Sequence, residues 1–153
     1  MSISEIEDLI IKKLEEAFPK FLVQGFPEKP QEFILLHPIG AILVHYRGGS
    51  YSNTDALNFI SQDKRMEFAV TVVTRNLRSN DGAYEVLEGV KQCLCGYKII
   101  GCSKLTPIKE GFLSEIKGIW QYELSFSLST PSLKVCPKMT YLGGYIVKIE
   151  FYT

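Results

Sequence analysis

The sequence predicts an α+β domain, a mainly antiparallel sheet with two principal helices packed on one face. Three observations carry that expectation. Residues 3–18 repeat apolar side chains at helical spacing, residues 80–94 do so again, and the segments 66–74 and 116–128 alternate from one residue to the next. Alternation with a dry face and a largely polar face is the habit of antiparallel strands, whose second face can meet water. Helices and strands of this kind hide their apolar faces by stacking the helices on one side of the sheet.

The first helix places Ile3, Ile6, Leu9, Ile10, Leu14, Ala17 and Phe18 on one side and sets Lys12, Lys13, Glu15 and Glu16 mostly opposite. Ser2 with Glu5, or Ser4 with Glu7, can form a capping box at its start, and Pro19 helps to end it. A short strand at "FLVQGF" precedes a loop marked by Pro27 and Pro30. Residues 33–46, "FILLHPIGAILVHY", read as one or two strands with Pro38 at an edge or bend. The stretch 47–63, "RGGSYSNTDALNFISQD", has no sustained period and is expected as a long loop. Long loops in small domains are more often functional than idle, so Arg47, Tyr51 and Asn53 become candidates for contact with a partner.

In the strand 66–74, Met66, Phe68, Val70 and Val72 face one way, and Glu67, Ala69, Thr71 and Val73 the other. The second helix is expected to start at Asn80 or Asp81, to bury Ala83, Val86, Leu87, Val90 and Leu94, and to stop at Gly96. A strand at "YKIIGCSKL" and a turn-rich connection through Pro107 and Gly111 follow. The clearest strand then shares Ile116, Gly118, Trp120, Tyr122, Leu124, Phe126 and Leu128 on one face. After Thr130 the segment "PSLKVCPKMTYLGG" reads as a linker, and "YIVKIEFYT" as a strand with Tyr145, Val147 and Ile149 on one side. The expected division is therefore a main domain at 1–130 and a C-terminal linker and strand at 131–153.

Lysine plus arginine equals aspartate plus glutamate, 17 against 17, so no global field draws the chain to nucleic acid or an anionic membrane. The most apolar stretch, residues 33–46, is too short for a bilayer span and is broken by His37 and Pro38. The start "MSISEIEDLIIKK" lacks the basic and apolar regions of a secretory signal, which sets an expectation of cytoplasmic assembly. Under reducing conditions Cys93, Cys95, Cys102 and Cys136 are expected as free thiols. Their spacing does not match paired C-x-x-C zinc ligands, so no metal or other cofactor is expected.

His37 and His45 each lie in an apolar stretch without an accompanying nucleophile elbow or H-E-x-x-H pattern, and are read as structural. "YRGGSYSN" lacks the spacing of a nucleotide-binding glycine loop. No coherent catalytic set emerges, and no enzyme is expected. The junction "VTRNLRSNDGAYEVL" is the more telling candidate, because Arg75 and Arg78 precede a helix start, where free N–H groups and the helix dipole favour an anion. The alternative is that Arg78 pairs with Asp81 or crosses a subunit boundary, while Gly82 and Ala83 permit close packing.

The N-terminal amphipathic helix, "MEFAVTVVTRNLRSNDGAYEVLEGVKQCLCG" and "KGIWQYELSFSLST" together resemble the tail-terminator-like proteins of Mu-type contractile phages and prophages, the gene-product-37 family. The likeness covers residues 1–130 and rests on Arg75, Arg78, Gly82, Ala83, Tyr84, Trp120 and Tyr122. It implies a non-catalytic virion protein forming a ring, a hexamer by the family's habit, on the last ring of the tail tube. Such a ring stops tube growth, offers a surface to the head-tail connector and can meet the tail sheath; headless contractile injection particles use the same part. Neither a membrane nor sequence-specific nucleic acid is an expected partner. Arg75, Arg78, Asp81 and Tyr84 are candidate interface residues, and Tyr145, Val147 and Ile149 could add a strand to a neighbour's sheet.

Overall fold

The Ser2 hydroxyl accepts a hydrogen bond from the Glu5 N–H at 3.2 Å while the Glu5 carboxylate accepts from the Ser2 N–H at 3.3 Å, so the first of the two expected capping boxes opens the chain. It starts helix α1, Ile3–Ala17, which buries Ile6, Ile10 and Leu14 on one side. The computed structural model describes residues 1–52, 59–135 and 138–150. After α1 come β1 (Leu22–Gly25), β2 (Gly40–Tyr51), β3 (Phe59–Thr74), α2 (Ala83–Leu94), β4 (Thr106–Ile116), β5 (Ile119–Val135), β6 (Lys138–Leu142) and β7 (Tyr145–Glu150).

Strands β1 to β5 form one sheet in the order β1-β2-β3-β5-β4, and β6 pairs with β7 in a separate two-stranded sheet. Every pairing is antiparallel except that of β1 with β2. Both helices cover one face. Ile6, Ile10 and Leu14 of α1 and Val86, Leu87, Val90 and Leu94 of α2 meet Ile42, Val44, Phe68, Val70, Val72, Leu124 and Phe126 in a continuous core. The α+β expectation and the second helix's apolar face are thus borne out; on α1 the expected face holds at Ile6, Ile10 and Leu14, while Ile3 and Ala17 at its two ends are exposed.

The opposite face is drier than the alternation implied. Ala69, Thr71 and Val73 are as buried as the helix-side residues. The segment between β1 and β2 returns across this face, packing Phe26, Phe33 and Leu35 near Ala41, Leu43 and Val73. Farther along, Arg47 of β2 forms an ion pair with Glu123 of β5, reaching over the intervening β3.

Several local expectations are corrected. Residues 33–39 are not a strand: the His37 Nδ1 accepts from the Ile39 and Gly40 N–H groups at 3.2 and 3.4 Å, turning the chain so that β2 starts only at Gly40. A Cβ at Gly40 would lie 2.6 Å from the Val73 carbonyl oxygen, which explains the glycine at this crossing. The stretch 47–63 is not one continuous loop, since β2 runs to Tyr51 and β3 begins at Phe59; its residues 53–58 lie outside the described residues. Polar contacts brace the described end of this pairing. The Ser52 hydroxyl accepts from the Asp63 N–H at 2.7 Å, and the Ser52 carbonyl from Gln62 Nε2 at 2.7 Å.

Residues 97–105 form turns closed by a single bridge between Lys98 and Lys104, not a strand. Ile99, Cys102 and Leu105 recur at intervals of three and plug the core from this loop. The supposed turn-rich connection through Pro107 and Gly111 is instead β4, and β5 runs past Thr130 to Val135, so the expected linker is mostly strand. Gly143 and Gly144, with φ of 58° and 84°, make the two-residue turn between β6 and β7, a conformation that suits glycine.

Candidate functional site

The turn between β3 and α2 is built almost entirely from its own backbone. The Thr74 hydroxyl donates to the Asn76 carbonyl at 2.8 Å, and Asn76 and Leu77 accept from the Ala83 and Tyr84 N–H groups at 3.0 and 3.1 Å. Asp81 takes the left-handed conformation, φ 61°, that Asp and Asn tolerate better than most residues. Helix α2 then starts with Gly82 as its cap, with no side-chain cap, in place of the expected Asn80 or Asp81. A Cβ on Gly82 would come within 2.5 Å of Asn76 Oδ1 and 2.7 Å of the Ser79 carbonyl, so close packing fixes this glycine.

That geometry removes most of the anion cradle the sequence allowed. Two donors at the α2 start are already spent on Asn76 and Leu77, and the Arg75 guanidinium points elsewhere. Arg75 donates to the carbonyls of Leu35, His37 and Pro38 at 3.2, 2.9 and 3.1 Å, tying the far-face segment to the end of β3. Arg78 is separate: its guanidinium lies 5.8 Å above the Tyr84 ring. Among the described residues, the ion pair present is Arg47–Glu123; Arg78 and Asp81 do not form one.

Arg78 and Tyr84 open an aromatic row. Tyr84 meets Tyr122 edge-on at 6.3 Å between centroids, Tyr122 meets Phe112 at 5.5 Å, and Phe112 meets Trp120 at 6.1 Å. Partial burial raises the Tyr122 phenol above its ordinary pKa, the neighbouring Tyr84 adds to this, and Arg78 opposes it. The row thus gathers four of the residues singled out at the sequence level, Arg78, Tyr84, Trp120 and Tyr122. Phe112 was missed, because β4 was read as turns; its pairing opposite Tyr122 supplies the link.

Strand β4 is also one edge of the sheet. Ile108, Phe112, Leu113 and Ile116 stand 38, 55, 49 and 63% exposed along it. An arginine beside clustered, half-exposed aromatic rings has the composition of a binding hot spot, and a long apolar edge with free backbone groups invites a further strand.

The second candidate group lies on a three-stranded arm. Beyond Tyr46, Met66 and Leu128 the strands β2, β3 and β5 continue, and among the described residues of these extensions no side chain is buried. Arg47 stands at its base in the Glu123 ion pair, and Tyr51 is exposed farther out with Lys64 Nζ 5.5 Å from its ring. Asn53 lies outside the described residues. Tyr145, exposed, with Val147 and Ile149, belongs to β7 of the separate hairpin.

The two histidines have structural settings. His37 closes its turn, while His45 lies 5.0 Å from the Phe26 ring with its Nδ1 unpartnered among the described residues. Burial lowers the His45 pKa, with Glu123 opposing and Arg47 assisting. Cys93, Cys95 and Cys102 are free thiols, whereas Cys136 lies outside the described residues. Burial between the helices pushes the Cys93 thiol up. Among the described residues, no cluster of three His, Cys, Asp or Glu side chains could hold a metal, and no helix is long and apolar enough to cross a membrane.

Two helices on one face of a five-stranded sheet, with an aromatic row running to an open edge, define an α+β domain with a candidate contact surface. The family model described as Gp37 protein matches residues 10–142, and the chain belongs to that family. The match runs past residue 130 through β6, farther than the resemblance in the sequence suggested. No curated protein matches the chain.

Proposed function

We propose that this protein is the tail-terminator subunit of a contractile phage tail or related injection particle, assembling into a closed ring of about six copies by the family's habit. The ring caps the last layer of tube protein, ends growth of tube and sheath, and offers the head-tail connector an attachment surface. In this reading the protein works by assembly and carries out no reaction.

The observation that supports it best is the Arg78–Tyr84–Tyr122–Phe112–Trp120 row at the open β4 edge, in a chain of the phage-associated Gp37 family. Isolated helices and sheets bury such rings; a chain that leaves them half-exposed beside an unpaired edge has a surface suited to a neighbour. A neighbour of the same kind meeting a different patch gives a head-to-tail interface, which closes into a ring if its rotation divides a full turn.

The test is direct. Native mass spectrometry and negative-stain microscopy of the purified protein, alone and with tube protein, are expected to show closed rings and rings seated on tube ends. Deleting the gene in the producing strain should yield tails of uncontrolled length. Protein that stays monomeric, ignores the tube and leaves tail length unchanged when deleted would sink the proposal.

A further inference from the structure

We propose that the β6–β7 hairpin of one copy adds its β7 strand to the open β4 edge of the next copy. This rests on the ring reading and names the contact that closes the ring.

Both halves of the contact are on the molecule. Among the described residues β6 and β7 pair with each other and with no strand of the five-stranded sheet. A lone two-stranded hairpin is marginally stable in water, so an arm of this kind gains its order from a partner. The sheet has two edges. One is β1, four residues long; the other is β4, eleven residues from Thr106 to Ile116 with apolar side chains exposed along it. Only β4 has the length to receive all of β7, Tyr145–Glu150.

The occupant is a second copy because the chain's own hairpin is rooted too far away. Thr106, the near end of β4, sits opposite Ser127, but β5 runs on to Val135 before the hairpin begins. Eight residues of strand advance the chain by about 27 Å, while a five-residue strand such as β6 reaches back only about 17 Å. Donor and acceptor therefore lie toward opposite ends of one subunit. That is the arrangement of a heterologous contact, in which each copy gives a strand to one neighbour and takes one from the other. Backbone pairing supplies the affinity, and the exposed Ile108, Leu113 and Ile116 supply apolar surface for the incoming strand.

The experiment uses two full-length variants. Val147→Pro with Ile149→Pro removes the donor strand's N–H groups, and Leu113→Lys with Ile116→Lys places charges on the acceptor edge. Each variant alone is expected to self-associate about 100-fold more weakly than the wild type, which corresponds to a few strand hydrogen bonds and their apolar contacts. Each is expected to keep the wild-type unfolding midpoint: Leu113 and Ile116 are exposed, and Val147 and Ile149 belong to the separate two-stranded sheet, outside the five-stranded one. An equimolar mixture restores one donor and one acceptor, and should give a 1:1 complex that grows no further. If the donor variant forms wild-type rings, or the mixture stays monomeric, this inference is overturned while the ring reading stands. A wild-type protein that is itself monomeric overturns both. Should either variant unfold, Val147→Lys for the donor and Ile116→Glu for the acceptor carry the same mixing test.

Discussion

Arg75 and Arg78 stand three residues apart and face different tasks, so replacing each in turn separates fold from assembly. Arg75 holds three carbonyls of the far-face segment with contacts of 2.9 to 3.2 Å. Hydrogen bonds from a charged donor contribute about 1.5–3 kcal/mol when shielded. Arg75 is exposed, so water replaces part of that on truncation, and Arg75→Ala should cost about 1–2 kcal/mol in all. For a chain of this length the unfolding midpoint falls by about 2–4 °C per kcal/mol. The expected drop is therefore about 2–8 °C, with faster amide exchange concentrated in residues 33–40. Arg75→Lys keeps the charge but loses the planar fork, and should recover little.

Arg78 makes a single exposed cation–π contact with Tyr84, worth about 0.5–1 kcal/mol. Arg78→Ala should leave exchange at 33–40 untouched and act on assembly instead, weakening self-association by at least about tenfold. Differential scanning calorimetry, hydrogen exchange and sedimentation velocity read the two effects independently. The reasoning is refuted if Arg75→Ala leaves stability and exchange unchanged, or if Arg78→Ala unfolds the monomer without altering association.

Other perturbations follow from single contacts. Phe68→Ala opens a cavity at the centre of the helix-side core and should cost about 3–5 kcal/mol in urea unfolding. Gly82→Ala forces a methyl into the Asn76 and Ser79 contacts and should cost about 1–3 kcal/mol, with the α2 start exchanging faster. His45 has a lowered folded pKa, so as pH falls through about 6.5 the unfolded chain takes the proton first and stability is lost from there downward. His45→Gln should flatten that decline between about pH 7 and 5, measured by denaturant midpoints. With a thiol reagent, exposed Cys95 should react ahead of Cys93, which is partly buried with its thiol pKa raised, and of buried Cys102, as peptide mapping would show.

Both helices and the centres of β3 and β5 were legible in the sequence because each sets its large apolar side chains on one face, which leaves a period in the residue types. The first capping box and the buried set Ala83, Val86, Leu87, Val90 and Leu94 follow from this directly. The arm and β4 were not legible for the converse reason. The side chains of β4 are mostly exposed and none described in the arm is buried, so the register rests on backbone ladders that any residue can make, and Gly48, Gly49, Gly111 and Pro107 read as turn signals. The burial of Val73 was hidden differently, because it depends on a segment distant in sequence packing against that face. Within the candidate site, the residue types at Arg78, Tyr84, Trp120 and Tyr122 were informative. Their convergence required the β4–β5 register that brings Phe112 between them.

Strand β5 explains why these surfaces can act together. Its first half, through Leu124, Phe126 and Leu128, is fixed in the core, and Trp120 and Tyr122 at its start hold the aromatic row. Its second half contributes no described buried residue, pairs with β3 in the arm, and carries the hairpin beyond Val135. A continuous strand of 17 residues paired along its length is stiff compared with a linker. The position of the far end of β5, at Val135, relative to the aromatic edge is then set by the core itself. In the proposed ring, a subunit that repeats one rotation accurately enough to close needs that rigidity, since a flexible tether between donor and acceptor would permit open chains as readily as closed ones. Inserting a short Gly-Ser segment between Val135 and Lys138 should accordingly preserve pairwise association while replacing closed rings with mixed open oligomers, as seen by negative stain. Uniform rings from such a variant would show that β5 does not set the closure angle.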